Sequence, residues 1–151
     1  MVSKITTKTQ YAVAAMLELA QSSDSKSVAT ISKNQLIDHD YMGLILIKLK
    51  KNNLVYSIKG VKGGYKIAKP INEIAVSDIM NAVGEKIKVT RCNNELEHGC
   101  TGKKDKCSAH KMWCTLEQNI SDYLKGLTLD VVLMNDVNEI LPYNNMIIRV
   151  L

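Results

Sequence analysis

The residues best suited to chemistry in this chain are its cysteines, which are confined to one short segment. All four Cys lie between Cys92 and Cys114 in a sequence of 151 residues. Disulfide-stapled secreted domains usually distribute their cysteines through a short chain. One local cluster in a chain otherwise free of Cys instead predicts metal binding or thiol redox chemistry in a reducing compartment. Three Cys and one His share the spacing C-x7-C-x6-C-x2-H: Cys92, Cys100, Cys107 and His110.

This spacing favours an iron–sulfur cluster over zinc. Structural zinc sites usually use close C-x2–4-C pairs, and no such pair occurs here. Long gaps between single thiolates, in a segment that contains Gly and Lys, suit a cluster held by a pliant loop, and His can replace one Cys as ligand. Zinc remains the alternative metal, and bare thiols the alternative chemistry. Cys114 is predicted not to be a ligand, and His39 and His98 are predicted to be exposed.

Positive charge is concentrated in the middle of the chain. The formal net charge is +5, and the stretch from Tyr41 to Asn72 holds seven Lys and no Asp or Glu. Lysines that neutralise phosphates release counterions, which gives sequence-independent affinity for DNA. A solvated lysine face that binds nothing is the alternative. The candidate DNA-contacting residues are Lys8, Asp38, Asp40, Tyr41, Lys48, Lys50, Lys59, Gly60, Lys62 and Gly63.

Apolar periodicity and turn residues place these side chains on a helix-turn-helix and a hairpin. Thr9, Asp38 and Ser77 are the predicted N-caps of their helices. A helix-turn-helix followed directly by a hairpin is a winged helix, so the predicted fold is mainly α with a small β-hairpin wing and a long helix. The predicted elements are helices at Thr9–Ala20, Val28–Gln35 and His39–Lys51, strands at Leu54–Ile58 and Tyr65–Ala68, and helices at Asp78–Val83, from Ser108 onward and at Leu129–Met134.

The long helix after Ser108 carries an apolar seam. Its members recur at alternating spacings of three and four, as in coiled coils: Trp113, Leu116, Ile120, Tyr123 and Leu127. The seam predicts pairing with its counterpart in a homodimer, and packing on its own domain is the alternative. The predicted organisation is a winged-helix DNA-binding domain at 1–84, a cluster-binding loop at 85–110, dimerisation helices at 111–135 and a tail of unknown role at 136–151.

The third helix is poorly equipped to read bases. Gly43 to Ile47 offer no side-chain donor or acceptor for base edges. Asp38 and Asp40 suit the helix dipole, but their charge repels phosphates. Tight, sequence-specific binding is therefore less well supported than DNA binding itself. Two competing hypotheses remain: a thiol- or zinc-dependent regulator on the same fold, and a protein-binding adaptor that has lost specific DNA reading.

Several segments resemble the IscR family of winged-helix transcription regulators. The resemblance covers roughly residues 4 to 135 and implies a homodimeric DNA-binding regulator. Such a regulator would sense cluster supply, control cluster-assembly or iron and redox genes, and receive its cluster from donor proteins. The matching segments are Tyr11–Leu17, Leu54–Ser57, Gly63–Tyr65, Ile74–Asp78, Thr90–Cys92, His110–Trp113 and Leu127–Leu129.

The resemblance also implies a cluster type and exposes departures. A [2Fe-2S] cluster is implied, with [4Fe-4S] as the alternative seen among relatives. The implied ligands are Cys92, Cys100, Cys107 and His110. The gaps between the Cys residues are longer here, Lys59 stands where the family usually has Arg, and Gly43 and Leu44 replace polar residues that help read bases. The operator sequence therefore does not carry over.

Other function classes are disfavoured. No apolar stretch approaches the about 20 residues that cross a bilayer, and the N-terminal segment lacks a signal-peptide core. We expect a cytoplasmic protein. There is no nucleophile–base motif and no phosphate-binding Gly-rich loop before a helix, so we do not expect an enzyme. The leading hypothesis is a cluster-sensing transcription regulator.

Overall fold

The computed structural model describes residues 5–86 and 106–134. Its elements are α1 (Thr7–Ala20), α2 (Val28–Gln35), α3 (His39–Lys51), β1 (Val55–Ile58), β2 (Gly64–Ile67), a 3-10 turn (Ile71–Glu73), α4 (Val76–Ala82), α5 (His110–Gly126) and α6 (Leu129–Met134). This order confirms the predicted fold class, a winged helix followed by a long helix. Most of the predicted loop, with Cys92, His98 and Cys100, lies outside the described residues, as does the predicted tail.

Helix α1 begins earlier than the sequence pattern predicts, because Thr6 rather than Thr9 is its N-cap. The Thr6 hydroxyl accepts a hydrogen bond from the Thr9 amide at 3.5 Å. Thr9 lies inside the helix and is 2% exposed, and its own hydroxyl donates to the Glu85 carboxylate. The prediction of Thr9 as cap is wrong because a distant carboxylate uses that hydroxyl.

Two later helix starts also differ from the prediction. Helix α4 begins at Val76 with Ala75 in the N-cap position, so Ser77 is not the cap. The Asp78 carboxylate instead accepts a hydrogen bond from the Ala75 amide at 3.0 Å, and its charge favours the positive end of the helix. Helix α5 begins at His110 rather than Ser108, which lies in a turn.

The turn between α2 and α3 is tightly defined. Leu36 adopts the left-handed conformation with φ 55°, and the buried Ile37 donates its amide to the Ser32 carbonyl at 3.0 Å. Asp38 then accepts a hydrogen bond from the Tyr41 amide at 2.9 Å, which confirms its prediction as N-cap. These bonds determine where α3 starts and which of its sides is exposed.

The hairpin pairs β1 with β2 in antiparallel register, from Val55 opposite Ile67 to Ile58 opposite Gly64. Gly60 has φ +113°, a value that L side chains rarely adopt. Its carbonyl accepts a hydrogen bond from the Gly63 amide at 2.9 Å, which closes the turn. The loop between the strands, which forms the tip of the wing, is thereby held in a compact shape.

The core lies between α1, α2, α3 and the hairpin, and α4 and α6 close it. Phe is absent from the sequence, and branched aliphatic residues and Met fill the interior. Met16, Ile31, Leu46, Ile79 and Leu129 are each 0% exposed. Within the described residues no helix is both long and apolar enough to cross a membrane.

A second, smaller cluster attaches the end of α5 to α4. Val76 and Met80 pack with Leu124 and Leu127. The Val76 amide donates to the Leu127 carbonyl at 2.8 Å, which adds a backbone bond to the apolar contact. The C-terminal end of the long helix is thereby fixed to the winged-helix elements.

Candidate nucleic-acid interface and metal centre

Helix α3 buries one side and exposes the other. Its exposed side presents Leu44 and Ile47, which are 58% and 57% exposed. Its last turn carries Lys48, Lys50 and Lys51, all exposed. Its buried side consists of Met42, Ile45, Leu46 and Leu49, each at most 1% exposed. The surface of α3 therefore has an apolar centre and a cationic C-terminal end.

The wing is bound to the loop between α1 and α2. The Tyr65 amide donates to the Lys26 carbonyl at 2.8 Å, and the Lys26 amide donates to the Tyr65 carbonyl at 3.1 Å. The Ser25 hydroxyl donates to the Lys62 carbonyl at 2.8 Å. A Cβ atom on Gly64 would lie 2.4 Å from the Lys26 carbonyl oxygen, so this approach requires glycine. The wing is therefore held in one position beside the helix-turn-helix.

Of the glycines and lysines predicted to contact DNA, some serve the protein's own structure and others are exposed to solvent. A Cβ atom on Gly63 would lie 2.4 Å from the Ile58 carbonyl oxygen, so this glycine serves the turn itself. Lys59 and Lys62 are exposed on the wing. The Lys50 ammonium donates to the Ser57 hydroxyl at 2.5 Å and so joins the end of α3 to β1. The exposed ammonium groups lie on the elements that a winged helix lays against DNA.

Tyr41, at the start of α3, contacts α1, and Lys8, on α1, interacts with a residue just after α4. The Tyr41 ring meets the Tyr11 ring edge-on, with centroids 6.2 Å apart and an interplanar angle of 82°. Lys8 lies on α1 one turn before Tyr11 and acts electrostatically on the Glu85 carboxylate. Part of the Lys8 charge is thus balanced within the chain.

The two predicted aspartates have different roles. Asp38 is occupied as the N-cap of α3. The Asp40 side chain is 95% exposed and lies 3.1 Å from the His39 ring nitrogen. The His39 side chain is itself 62% exposed, as predicted. Asp40 therefore presents its charge to solvent at the end of α3 opposite to the lysines.

Glu18 on α1 is a buried carboxylate, 7% exposed, that was not among the predicted functional residues. It accepts hydrogen bonds from the Asn34 amide at 2.6 Å, the Gln35 amide at 2.7 Å and the Lys26 ammonium at 3.2 Å. Burial raises the pKa of Glu18, but these bonds outweigh it and hold the pKa below its usual value. The only sequence signal is a charged residue within the apolar face of α1.

A second missed carboxylate, Glu85, joins the end of the described winged-helix residues to α1. It accepts hydrogen bonds from the Thr6 amide at 2.8 Å, the Thr6 hydroxyl at 2.9 Å and the Thr9 hydroxyl. Burial raises the pKa of Glu85, but these bonds and the Lys8 charge hold it below its usual value. No local pattern predicts this contact, because its partners lie more than 75 residues away.

Of the predicted cluster ligands, Cys107 and His110 lie within the described residues. His110 is the first residue of α5 and is 8% exposed, and its amide donates to the Cys107 carbonyl at 2.9 Å. Its Nε2 atom lies 3.5 Å from the Cys114 Sγ atom. In the described part of the chain no three metal-binding side chains converge. Cys92 and Cys100 fall outside that part.

The donors present fit a soft or borderline metal. A thiol and an imidazole at one helix start are ligands that both zinc and iron–sulfur clusters accept. Two donors cannot complete a tetrahedral site, so further ligands are required from elsewhere in the chain. Cys92 and Cys100 carry the same donor chemistry, and Cys114 lies beside the imidazole.

The predicted dimer seam divides along α5. Trp113 and Leu116 are 37% and 39% exposed. Ile120 and Tyr123 are half-buried against the cluster that joins α5 to α4, and Leu127 is a buried member of that cluster. The first half of the seam is therefore open to a partner, whereas its end packs on its own chain.

A helix-turn-helix with a basic hairpin wing defines a winged-helix transcriptional regulator. The chain belongs to the Rrf2 family, described as iron-dependent transcriptional regulators, whose profile matches residues 5–135. Its relatives are regulators rather than enzymes, in agreement with the expectation that it is not an enzyme.

Two relatives illustrate the match in sequence. The HTH-type transcriptional regulator IscR of Pectobacterium carotovorum subsp. carotovorum (strain PC1) is 40% identical over 134 residues, which cover 87% of this chain and 80% of that protein. The IscR of Escherichia coli O1:K1 / APEC is 37% identical over 134 residues, with 87% and 81% covered. Both relatives support the family resemblance expected from the short segments.

Solved structures show the same fold. T. potens IscR has a TM-score of 0.70 at 26% identity and matches 96% of each chain. The structure of CymR, the global cysteine regulator of B. subtilis, has a TM-score of 0.73 at 22% identity and covers 86% of this chain and 95% of its own. At that lower identity the likeness concerns the fold alone.

Proposed function

We propose that this regulator binds duplex DNA through α3 and the wing, and that an iron–sulfur cluster controls the binding. The observation that carries the cluster proposal is the buried imidazole of His110, placed three residues after Cys107 at the start of α5. The description of the family as iron-dependent transcriptional regulators supports an iron-containing centre. The proposed ligands are Cys92, Cys100, Cys107 and His110.

The chain's own residues would position the ligands. The backbone bond between the His110 amide and the Cys107 carbonyl holds two donors at one helix start. The segment that carries Cys92 and Cys100 would supply the other two. When bound, a [2Fe-2S] cluster, or alternatively a [4Fe-4S] cluster, would supply a redox-active centre that depends on iron and sulfide.

Two contacts provide a physical route from these ligands to the DNA-binding elements. At its far end α5 is bonded to α4 through Val76 and Leu127. At the other side of the ligand segment, Glu85 is bonded to the first turn of α1. Cluster binding that changed the position of either end would alter DNA affinity, and by linkage DNA would alter cluster affinity equally.

The regulator would act as a homodimer through the exposed half of the α5 seam. Trp113, Leu116 and Met112 are 37%, 39% and 56% exposed on one helix, more apolar surface than isolated exposed residues provide. All four Cys lie in one short segment, a pattern that suits metal binding in a reducing compartment, so we place the protein in the cytoplasm, where cluster donor proteins would load it.

Anaerobic purification of the full chain tests the cluster proposal. We expect coloured protein with about two iron and two sulfide ions per chain, or about four of each for the alternative cluster. Replacing Cys92, Cys100 or Cys107 with Ala should each abolish the colour. Cys114→Ala is the matched control and should retain it.

The opposing outcomes are specific. Zinc at one ion per chain without sulfide would replace the cluster proposal with a zinc-dependent regulator. Loss of colour in Cys114→Ala, together with retention in His110→Ala, would move the fourth ligand from His110 to Cys114, whose Sγ atom lies 3.5 Å from the imidazole.

A further inference from the structure

The exposed side of α3 carries aliphatic side chains where DNA-reading helices often carry polar ones. Leu44 and Ile47 lie one turn apart and are 58% and 57% exposed. Both lie on the solvent side of a helix whose opposite side is fully packed. Two adjacent exposed aliphatic side chains make this face a candidate contact surface, and the side chains around them decide what could bind there.

The surroundings of this pair indicate the chemistry of its occupant. Lys48 and Lys51 are exposed on the next turn of α3, and Lys50 is held beside β1 by Ser57. The wing adds the exposed Lys59 and Lys62. Cations that border a small apolar strip complement a polyanion with apolar groups in its groove, which describes the major groove of DNA.

We propose that Leu44 and Ile47 recognise the 5-methyl groups of thymines in the major groove. This inference rests on the proposed DNA-binding function and specifies how that surface selects sequence. The thymine methyl is the apolar feature of the major-groove edges, whereas the remaining features are hydrogen-bonding groups. An alkyl side chain placed against the hydrogen-bonding groups of the other bases would remove their water without offering a hydrogen-bond partner. The lost hydrogen bonds lower the affinity for those bases.

The neighbouring residues favour close approach of the strip. The acidic Asp40 lies at the opposite end of α3 from the lysines, so phosphate contacts concentrate at the C-terminal end and at the wing. In the proposed complex with DNA, the middle of α3, with Leu44 and Ile47, then faces the bases.

The test compares thymine with uracil, which lacks only the methyl group. Duplexes that bind the full chain are selected from a random library amplified with dTTP. The selected sequences are then synthesised with every dT replaced by dU, and affinities are measured at several salt concentrations. We expect the dU duplexes to bind about four-fold more weakly for each methyl contacted, a factor that corresponds to about 0.8 kcal/mol per buried methylene.

Substitutions assign the effect to the two residues. In Leu44→Ala/Ile47→Ala the ratio of dT to dU affinity should fall to about one, while the salt dependence stays unchanged because the lysines remain. Leu36→Asn is the control, since Leu36 is 92% exposed but lies in the turn before α3 in a left-handed conformation that Asn tolerates. It should keep the wild-type ratio.

The failures of this inference and of the DNA-binding proposal are distinguishable. Salt-sensitive binding with equal affinity for dT and dU duplexes overturns methyl recognition alone. Absence of binding to any duplex at low salt overturns both. If the double variant keeps the dT preference but changes the sedimentation coefficient, this side of α3 is a contact between copies, and methyl recognition is again overturned.

Discussion

At the scale of single residues, Glu85 connects the winged-helix domain to the segment that carries the proposed ligands. Its folded pKa lies below its usual value, so the stability that it contributes is present above that usual value and lost as pH falls through the folded pKa. We expect Glu85→Gln to lower the free energy of unfolding by about 2 kcal/mol at pH 7, because charge-assisted hydrogen bonds are lost.

The pH dependence gives this prediction its sign. Denaturant unfolding of wild type and Glu85→Gln should differ most near neutral pH and converge as the pH falls through the lowered pKa of Glu85. Glu73→Gln, at an exposed carboxylate, is the control and should follow wild type at every pH. A constant difference across the whole range would show that the charge of Glu85 is irrelevant.

Replacement of Gly64 and of Gly43 with Ala should have opposite effects on the stability of the fold. A Cβ atom on Gly64 would overlap the Lys26 carbonyl, so Gly64→Ala should destabilise the fold by about 1–3 kcal/mol. Gly43 lies inside α3, where an added Cβ atom would make an ordinary van der Waals contact with Val28 Cγ1 at 3.9 Å, so Gly43→Ala should stabilise the fold by about 1 kcal/mol. Thermal unfolding measures both, and equal effects would contradict the close approach of the wing.

At the scale of elements, the wing is an exposed cationic hairpin held to the loop before α2. Lys59→Ala should weaken DNA binding and reduce the slope of log affinity against log salt by about one, because one phosphate contact is lost. The measurement is a titration of random-sequence duplex at several salt concentrations.

A lysine on another element provides the control for this prediction. Lys125 lies on α5, 3.4 Å from Asp122, and Lys125→Ala should leave the slope unchanged. If both variants flatten the slope equally, the effect comes from net charge rather than from the wing, and the proposed contact is wrong.

The helix starts show how far element prediction from the sequence extends. Asp38 was predictable as an N-cap because its bond to the Tyr41 amide is local. Thr9 was not, because Glu85 uses its hydroxyl. Local rules succeed where the hydrogen-bond partner lies within one turn of the chain and fail where it comes from another element.

At the scale of the whole molecule, the open half of the α5 seam predicts a homodimer. Leu116→Glu would place a charge on an exposed apolar position, and we expect it to convert dimers to monomers in sedimentation experiments. Leu116 is a better test site than Ile120, because Ile120 also packs on the chain's own cluster. The folded domain should stay intact in Leu116→Glu.

Gln118→Glu adds the same charge to the other side of α5 and serves as the control. Gln118 is exposed and hydrogen-bonded to Asp122, outside the seam, so this variant should remain dimeric. A wild-type chain that is monomeric at micromolar concentration would contradict the dimer proposal directly.

The sequence by itself determined the order of the elements and the kinds of side chain available to the proposed sites. Periodicity, turn residues and the charge distribution predict the order of elements, the winged helix and its lysines, because those signals are local and repeat along the chain. The spacing of Cys107 and His110 likewise places both at one helix start. The family resemblance added the proposed ligand set and the regulatory role.

Only the tertiary structure decided which side chains the interior uses. In the folded chain, Glu18 and Glu85 are buried and accept hydrogen bonds from residues of other elements. Leu127 packs against α4, whereas Leu116 is exposed. The physical reason is that a buried polar group must find a partner wherever the fold brings one. An apolar side chain on a periodic seam is buried by whichever surface the fold places beside it. The local sequence predicts neither the partner of a buried polar group nor the surface that covers a seam residue.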